Sequence, residues 1–290
     1  MKQPNFPKTA PPQTQTAQPG IEEKMNPLPI FKHDDYIAKE PKLKNKTTLI
    51  TGGDSGIGRA VAICFAKEGA NVAIVHHQTE LEDAKYLKTE IEELGGQCLL
   101  IEGDLAEVAF IDTIVSKTLD RFGQINILVN NAAVQYPQKD ITAITNEDFY
   151  HTFAINFFAP FHLTRAVVPH LNSGDCIINT TSVTAYEGNE QLIDYSSTKG
   201  ALTVFTRSLA MNLAPKGIRV NAVAPGPIWT PLIPASFDEK KVAEFGSKVP
   251  LGRMGQPVEL AGAYLLLASQ EGSYMSGTTI HVNGGTITNI

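Results

Sequence analysis

Short apolar runs alternate with longer amphipathic stretches along most of the chain from Thr47 onward. The apolar runs are TTLIT, NVAIVH, QCLLIEGD, INILVNNA, DCIINTTS, IRVNAVAPG and TIHVNGG. Such runs, separated by segments of helix length, are typical of buried parallel strands joined by helices. The pattern therefore predicts an α/β fold, with a single Rossmann-like doubly wound domain, a seven-stranded parallel sheet and about three helices on each face.

The N-terminal segment departs from this pattern. Residues 1–42 are rich in Pro and Gln and poor in large apolar side chains, so we interpret them as an arm outside the core and residues 43–290 as the folded domain. Within the arm, the stretch PGIEEKMNPLPIF carries enough apolar side chains to need a packing partner. We expect it to dock onto the domain or onto a neighbouring subunit.

Composition narrows the function to small-molecule chemistry. The net charge is −6 and no basic block occurs, which argues against nucleic acid as a partner. No secretory leader or membrane-length apolar segment is present, so the expected location is the cytoplasm, with no membrane association. The three cysteines lack C-x-x-C spacing and the histidines lack H-E-x-x-H spacing, so neither disulfides nor a metal site is predicted.

The first apolar run leads directly into the glycine-rich sequence TGGDSGIG. Gly52, Gly56 and Gly58 suit a tight turn and let a pyrophosphate approach the N–H groups at the start of a helix, where the helix dipole favours an anion. A glycine-rich loop without a ligand is the alternative. Its position after the first strand of a βαβ unit favours a dinucleotide site.

Tyr195 and Lys199 lie four residues apart in DYSSTKG, which places them on the same face of a helix. Taken alone, such a pair is usually a solvated surface. A lysine cation about 4 to 5 Å away would favour the phenolate by roughly 3 to 4 kcal/mol, so we expect a lowered Tyr195 pKa. Ser182 follows an apolar run and could hydrogen-bond a substrate oxygen, although a helix cap or turn is its simpler role.

Several motifs together resemble the short-chain dehydrogenase/reductase family, from about residue 44 to 285. They are Gly52-x-x-x-Gly56-x-Gly58, GDL at 103–105, NNAA at 130–133, Asn156, Ser182, YSSTK at 195–199 and PGPIWT at 225–230. The resemblance implies an NAD(P)-dependent oxidoreductase that interconverts a hydroxyl and a carbonyl group by hydride transfer. It also implies a catalytic set of Asn156, Ser182, Tyr195 and Lys199, with Tyr195 as the acid/base. The chain as a whole is similar to stress-associated bacterial members that carry the same Pro/Gln-rich arm.

The same resemblance implies a set of cofactor-binding residues along the whole chain. They are Gly52, Asp54, Ser55, Gly56, Ile57, Gly58, His76, His77, Asp104, Leu105, Asn131, Ala132, Ala133, Tyr195, Lys199, Pro225, Gly226, Ile228 and Thr230. Asp104 is expected to face the adenine, Asn131 the adenosine ribose region, and Ile228 with Thr230 the nicotinamide carboxamide. Ala133 departs from the family pattern N-N-A-G, and its methyl group puts the local geometry in doubt.

The choice between NAD and NADP depends on the end of the second strand. An acidic residue there would accept the ribose hydroxyls of NAD, whereas a basic one would pair with the 2′-phosphate of NADP. This chain has His76 and His77, which can do either according to their charge. The neutral Ser55 favours NAD slightly. We expect the preference to move toward NADP as pH falls, and equal ratios at pH 6 and 8 would exclude a role for histidine charge.

Pro160 follows Asn156 by four residues and has no N–H, so the Asn156 carbonyl would lose its helical hydrogen bond. We hypothesise that this oxygen holds a water in a relay to Lys199, the role that the resemblance implies. A proline kink in a long helix is the alternative.

The segment after Thr230 is the expected lid and pocket wall. The candidate substrate residues are Gln135, Thr184, Glu187, Gln191 and Trp229, with Tyr136, Tyr186, Leu232, Ile233 and Phe237 as further lining. Their aromatic and aliphatic groups suit an alcohol or carbonyl compound of moderate size. Glu187 and Gln191 suggest a further polar group, such as a polyol hydroxyl.

Resemblance also implies a homotetramer assembled through long helices, of which GALTVFTRSLAMNLA is a candidate. Two other functions remain open. A dinucleotide-binding sensor or scaffold without catalysis would not need the Ser182, Tyr195 and Lys199 set. A sugar-nucleotide epimerase also uses Y-x-x-x-K, but its glycine spacing differs and the tail after residue 230 is short for its substrate domain.

Overall fold

Seven parallel strands lie side by side in the computed structural model, which describes residues 41–288. The strands are β1 (Thr47–Thr51), β2 (Asn71–His76), β3 (Cys98–Glu102), β4 (Ile127–Asn130), β5 (Cys176–Thr180), β6 (Arg219–Pro225) and β7 (Thr279–Val282). Their order in the sheet is β3-β2-β1-β4-β5-β6-β7. All seven apolar runs form strands, so the predicted sheet is confirmed.

Helices of very different length connect the strands. They are α1 (Gly56–Lys67), α2 (Leu81–Glu93), α3 (Phe110–Phe122), α4 (Asn146–Phe153), α5 (Ala159–Val167), α6 (Thr184–Glu187), α7 (Ile193–Leu213), α8 (Leu232–Ser236), α9 (Glu239–Glu244) and α10 (Val258–Ala268). The short helices α8 and α9 lie in the segment predicted to form the lid.

Two separate apolar cores hold the helices against the sheet. On one face α1, α2 and α10 pack through side chains such as Phe65, Leu87 and Tyr264. On the other face α3, α5 and α7 pack through side chains such as Ile114 and Leu163. The strands read as continuous apolar runs because both of their faces are covered. Three helices therefore cover each face, as predicted.

The strand order places the functional end of the sheet. β1 pairs with β2 on one side and with β4 on the other. Successive strands are therefore added outward from β1 in one direction up to β3, and in the opposite direction from β4 onward. Ligands of doubly wound folds bind outside the carboxyl ends of the strands at such a reversal. The glycine turn after β1 and the NNAA segment after β4 meet there.

The described chain begins at Pro41, so the predicted arm and its docking segment lie outside the described residues apart from positions 41 and 42. Lys42 N–H donates to a Glu68 carboxylate oxygen and Leu43 is fully buried. Within residues 41–288, no helix is both long enough and apolar enough to cross a membrane.

Asn156 lies in a π-helix over Ala154–Phe158, between α4 and α5. Here the Ala159 N–H donates to the Ala154 carbonyl, five residues back, so the hydrogen-bond register is one residue longer than in an α-helix. The sequence predicted a helix interrupted at most by a proline kink at Pro160, with no inserted residue. The inserted residue shifts the hydrogen-bond register of this segment. The sequence argument for a free Asn156 carbonyl assumed the register of an α-helix.

The glycine turn is built by close backbone contacts. Gly52 and Gly56 have positive φ angles of 58° and 50°, which favour glycine. Gly58, inside the first turn of α1, has a different requirement. A Cβ atom there would lie 2.0 Å from the Gly52 carbonyl oxygen and 2.8 Å from Asn131 Nδ2. The absence of a side chain at Gly58 lets α1 start directly against the end of β1.

We expect Gly58→Ala to destabilise the protein by about 1 to 3 kcal/mol, because the backbone must move to admit the methyl group. Gly262→Ala is the matched control, since Gly262 lies within α10 and the added Cβ would meet no atom within 4 Å beyond its chain neighbours and the backbone of its own helix. That control should be neutral or stabilising by about 1 kcal/mol. Denaturant midpoints measure both variants, and equal midpoints would contradict the close-contact account.

Candidate active site

A cleft of about 680 Å³ opens at the carboxyl ends of the strands. It runs from the glycine turn to the short helices α8 and α9. The predicted residues that line it are Gly52, Asp54, Ser55, Gly56, Ile57, His76, His77, Asp104, Leu105, Asn131, Ala132, Ala133, Gln135, Ser182, Thr184, Glu187, Tyr195, Lys199, Pro225, Gly226, Ile228 and Thr230. The structure thus brings together residues that are far apart in sequence.

Six predicted residues lie outside this lining, among them Tyr136 and Tyr186, which were expected to line the substrate pocket. Gly58 is packed behind the glycine turn, and Asn156 is buried behind the loop that follows β4. Trp229 does not line the cleft and is 39% exposed. Gln191 hydrogen-bonds Lys241, and it is Lys241 that lines the cleft. The structure therefore does not support Gln191 and Trp229 as substrate contacts.

Ser182 is oriented by Thr184. The Ser182 Oγ accepts hydrogen bonds from the Thr184 N–H at 3.1 Å and from the Thr184 hydroxyl at 3.0 Å. A hydroxyl has two acceptor lone pairs and one proton. Because both acceptor sites are used, the Ser182 proton is left for an acceptor on the cleft side, where the Tyr195 oxygen also lies. The turn role considered from the sequence and the substrate-facing role are compatible here.

Tyr195 and Lys199 lie on the buried face of α7, as their spacing predicted. The Lys199 Nζ is 5.5 Å from the centre of the Tyr195 ring and donates to the Thr180 carbonyl oxygen at 2.9 Å. Both residues are less than a tenth exposed. The end of β5 therefore fixes the lysine amine beneath the tyrosine, and both groups border the cleft.

The predicted direction of the Tyr195 pKa shift is wrong for the protein alone. Burial raises the pKa of Tyr195 to about 12, and a hydrogen bond from Ser182 opposes only part of this. Burial also lowers the pKa of Lys199 to about 7. The sequence argument counted the lysine charge and omitted the cost of removing both groups from water. In the cofactor-free protein, Tyr195 is a neutral phenol and therefore a proton donor.

Asn156 supports the site from behind through its side chain. Its Oδ1 accepts from the Val134 N–H, while its Nδ2 donates to the Val134 carbonyl at 2.9 Å and to the Thr198 hydroxyl at 3.2 Å. The Thr198 hydroxyl in turn donates to the Tyr195 carbonyl. Asn156 thus connects the loop after β4 to the turn of α7 that carries Tyr195.

Asn131 has a structural role that the sequence did not predict. Its Nδ2 donates to the carbonyls of Thr51 and Gly52, at 3.1 and 2.9 Å. Its backbone N–H donates to the Thr51 hydroxyl. These bonds join the end of β4 to the glycine turn, so the Asn131 amide holds the turn together beside the cleft.

The far end of the cleft carries an unusual group of polar side chains. Asp54 and His76 are 1% and 2% exposed, and His76 Nε2 has no hydrogen-bond partner among residues 41–288. The Asp54 carboxylate makes no hydrogen bond of ideal geometry there, although the Ser55 hydroxyl and the Asp54 N–H lie close enough to lower its pKa in part. His77 is exposed and forms a capping box with Glu80. Burial and the nearby Glu80 raise the pKa of Asp54 to about 6. Buried unpartnered polar atoms beside a cleft are expected where a ligand supplies the partners.

Some lining residues had no clear signal in the sequence. The Thr180 carbonyl, which holds Lys199, is a backbone group that any residue could supply. His151, Asn189 and Lys241 reach the cleft from α4, from the loop after α6 and from α9. Their positions depend on tertiary packing. Asp54, in contrast, stands out in the sequence. A carboxylate inside a glycine turn that binds pyrophosphate is electrostatically unfavourable unless it has a separate role.

We expect Asp54→Asn to stabilise the cofactor-free protein at pH 7.5 by about 2 to 3 kcal/mol, because the variant removes a buried unpaired charge. Since the folded pKa is raised from 3.8 to about 6, the wild-type cost is absent near pH 4 and grows as pH rises through 6. The stability difference should therefore vanish toward pH 4. Thermal unfolding at several pH values measures this, and a pH-independent difference would contradict it.

The comparisons with known proteins agree with this geometry. The family model described as enoyl-(acyl carrier protein) reductase matches residues 52–287. General stress protein 39 of Bacillus subtilis (strain 168) is 55% identical over 281 residues, which cover 97% of this chain and 98% of that protein. This relative confirms the predicted likeness to stress-associated bacterial members.

Two solved structures are similar over most of their length. A short chain dehydrogenase from Burkholderia cenocepacia J2315 in complex with NADP has a TM-score of 0.78 and 31% identity, covering 84% of this chain and 98% of that chain. A 3-ketoacyl-(acyl-carrier-protein) reductase from Brucella melitensis complexed with NADH has a TM-score of 0.75 and 32% identity, with the same coverage. With the family model spanning most of the sequence, the chain belongs to the short-chain dehydrogenase/reductase family.

Proposed function

We propose that Tyr195 is the acid/base of this NAD(P)-dependent oxidoreductase, which interconverts a hydroxyl and a carbonyl group of a small molecule. The observation that carries the proposal is the convergence of Ser182, Tyr195 and Lys199 on one wall of the cleft whose other end is the glycine turn. In carbonyl reduction the neutral Tyr195 phenol gives its proton to the substrate oxygen. The Ser182 hydroxyl donates a hydrogen bond to the same oxygen and fixes its position.

The residues around the glycine turn fit a nicotinamide dinucleotide. Gly56 lies against Thr230, where an added Cβ would come within 3.0 Å of the threonine side chain. The start of α1 offers backbone N–H groups to a pyrophosphate. Asp54 and His76 belong to the same end of the cleft. When bound, the nicotinamide supplies the hydride acceptor or donor of the reaction. We propose a slight preference for NAD over NADP, supported by the neutral Ser55.

Lys199 adjusts the proton affinity of Tyr195. Lys199 Nζ lies 5.5 Å from the centre of the Tyr195 ring. For a separation of about that size and an effective dielectric constant of about 20, an ammonium stabilises a phenolate by about 3 kcal/mol, or roughly 2 pKa units. This offsets the burial that raises the Tyr195 pKa. Conversely, a phenolate at Tyr195 favours protonation of Lys199. The phenolate needed to accept a proton during alcohol oxidation is therefore accessible when Lys199 is charged.

Protons need a path between Lys199 and solvent, and we propose that Asn156 forms part of it through a water held at its carbonyl. The π-helix supports this role, since such single-turn insertions are frequent at functional sites. The side-chain bonds of Asn156 to Val134 and Thr198 hold that backbone segment beside α7. Asn156 would then act as a positioning residue for the relay.

The substrate end of the cleft combines apolar and polar groups. Leu232 and Ile233 line it from α8, while Gln135, Glu187 and Lys241 contribute polar atoms. Gln135 Nε2 donates to the Ser236 hydroxyl at 3.1 Å, so its amide oxygen remains available to a ligand. We infer a substrate of moderate size with at least one further hydroxyl besides the reacting group.

Assembly and location are further parts of the proposal. Exposed apolar side chains on α4, α5 and α7, including Phe149, Phe161, Val204 and Met211, form a surface that a second copy could cover. We propose a homotetramer, and light scattering on the full chain measures its mass directly. A cytoplasmic location is supported by three free cysteines within residues 41–288.

Tyr195→Phe removes the proton carrier and leaves the ring. We expect turnover to fall by about 10²- to 10⁴-fold while dinucleotide binding stays within about twofold. Turnover is followed by absorbance of the reduced cofactor over a panel of ketones, aldehydes and secondary alcohols with both nicotinamide cofactors.

Tyr136→Phe is the matched control, because Tyr136 lies outside the cleft lining. It should retain wild-type turnover. If Tyr195→Phe kept full activity, Tyr195 would not be the acid/base. A wild-type protein that bound cofactor but turned over no member of the panel would favour the sensor function.

A further inference from the structure

The Tyr264 hydroxyl is a polar group inside an apolar core. Tyr264 lies in α10, is fully buried, and belongs to the core that includes Phe65 and Leu87. A phenylalanine would supply the same ring, and a hydroxyl buried without a partner costs free energy. The Tyr264 oxygen lies 2.7 Å from Thr180 Oγ1, at the end of β5. A bond to Thr180 is therefore what the hydroxyl adds at this position.

The direction of this bond follows from the groups beyond it. Asn131 Nδ2 donates to the carbonyls of Thr51 and Gly52, which fixes the amide so that its Oδ1 is an acceptor. The Thr180 hydroxyl lies 3.4 Å from that Oδ1 and donates its single proton to it. Thr180 must then accept from Tyr264. The reverse direction would leave both the Tyr264 proton and Asn131 Oδ1 without this partner.

Thr180 is the point where the two ends of the cleft are joined. Its carbonyl oxygen accepts from Lys199 Nζ at 2.9 Å, while its hydroxyl bonds the Asn131 amide that holds the glycine turn. The backbone pairing of β4 with β5 ends one residue earlier, at Asn130 and Asn179. Toward β4, Thr180 is therefore held by its side chain, and Tyr264 fixes that side chain from the opposite side.

We propose that Tyr264 is a positioning residue for the reaction, which through Thr180 places Lys199 beneath Tyr195. The role rests on the acid/base function proposed above for Tyr195. Tyr264 itself does not line the cleft, so its effect passes through Thr180. Without the Tyr264 hydroxyl, the Thr180 side chain is free to rotate and its carbonyl holds Lys199 less firmly. The ammonium then stabilises the Tyr195 phenolate less well.

Tyr264→Phe tests this role, because it removes the hydroxyl and keeps the ring in the core. Alcohol oxidation requires the phenolate, so kcat rises with pH as Tyr195 loses its proton. We expect that rise to move upward by about 0.5 to 1 pH unit in the variant, which is roughly a 3- to 10-fold loss of kcat below the Tyr195 pKa. The loss should shrink at higher pH, and KM should stay within about twofold.

A second readout does not need a substrate. Ultraviolet difference titration of the NAD⁺ complex, with and without Tyr195→Phe, measures the Tyr195 pKa in the wild-type and Tyr264→Phe backgrounds. The same upward shift is expected. Other titratable side chains at the substrate end of the cleft, His151, Glu187 and Lys241, are unchanged in every variant and cancel in the comparison.

Leu267→Val is the matched control, since Leu267 lies in the same helix and the same core and forms no hydrogen bond through its side chain. It should lower the thermal midpoint and leave the kcat–pH profile unchanged. Thr180→Val serves if Tyr264→Phe does not fold, because it removes the hydroxyl and keeps the carbonyl. It should shift the profile in the same direction, Thr180→Ser should restore most of the wild-type profile, and the two losses should not add in Tyr264→Phe, Thr180→Val.

The outcomes separate this role from the proposed function. If Tyr264→Phe or Thr180→Val lowers stability but leaves the kcat–pH profile and the Tyr195 pKa at their wild-type values, Tyr264 is only structural and the proposal is overturned. An equal shift in Leu267→Val would overturn it as well. If the wild type binds NAD⁺ but oxidises no alcohol, the proposed function fails and the titration still decides the role of Tyr264. If no dinucleotide binds, both proposals fail.

Discussion

The burial of Lys199 beneath Tyr195 is the constraint on which the chemistry of this protein depends. A lysine that is 1% exposed is rare, and here it is held by one hydrogen bond to the Thr180 carbonyl at the end of β5. That bond forms only when α7 is placed correctly against the end of β5. The fold therefore serves to hold an amine and a phenol together away from water, where each changes the proton affinity of the other.

Burial favours the neutral forms of the titratable groups at both ends of the cleft. At the substrate end it keeps Tyr195 protonated and lowers the pKa of Lys199 to about 7. At the nucleotide end it raises the pKa of Asp54 to about 6. A dinucleotide that binds the folded protein and not the unfolded chain should raise the stability of the domain.

The sequence predicted the fold closely, because a parallel sheet covered on both faces leaves a clear pattern of apolar runs. The glycine spacing and the Tyr195–Lys199 interval are local signals, and the other cleft residues were expected from the resemblance to the family. It could not predict the π-helix at Asn156 or the use of the Asn131 amide to tie the glycine turn to β4. Those features depend on tertiary contacts, as does the failure of Gln191 and Trp229 to reach the cleft. The Tyr195 pKa was misjudged because desolvation cannot be read from residue spacing.

The central claim is that the Lys199 cation makes the Tyr195 phenol ionisable in the complex with NAD⁺. Ultraviolet difference titration of tyrosinate, taken as wild type minus Tyr195→Phe, measures the Tyr195 pKa directly. The same difference is then taken between Lys199→Met and the Lys199→Met, Tyr195→Phe double variant. The account predicts a Tyr195 pKa higher by roughly 2 units when the cation is absent. Equal Tyr195 pKa values with and without Lys199 would contradict it.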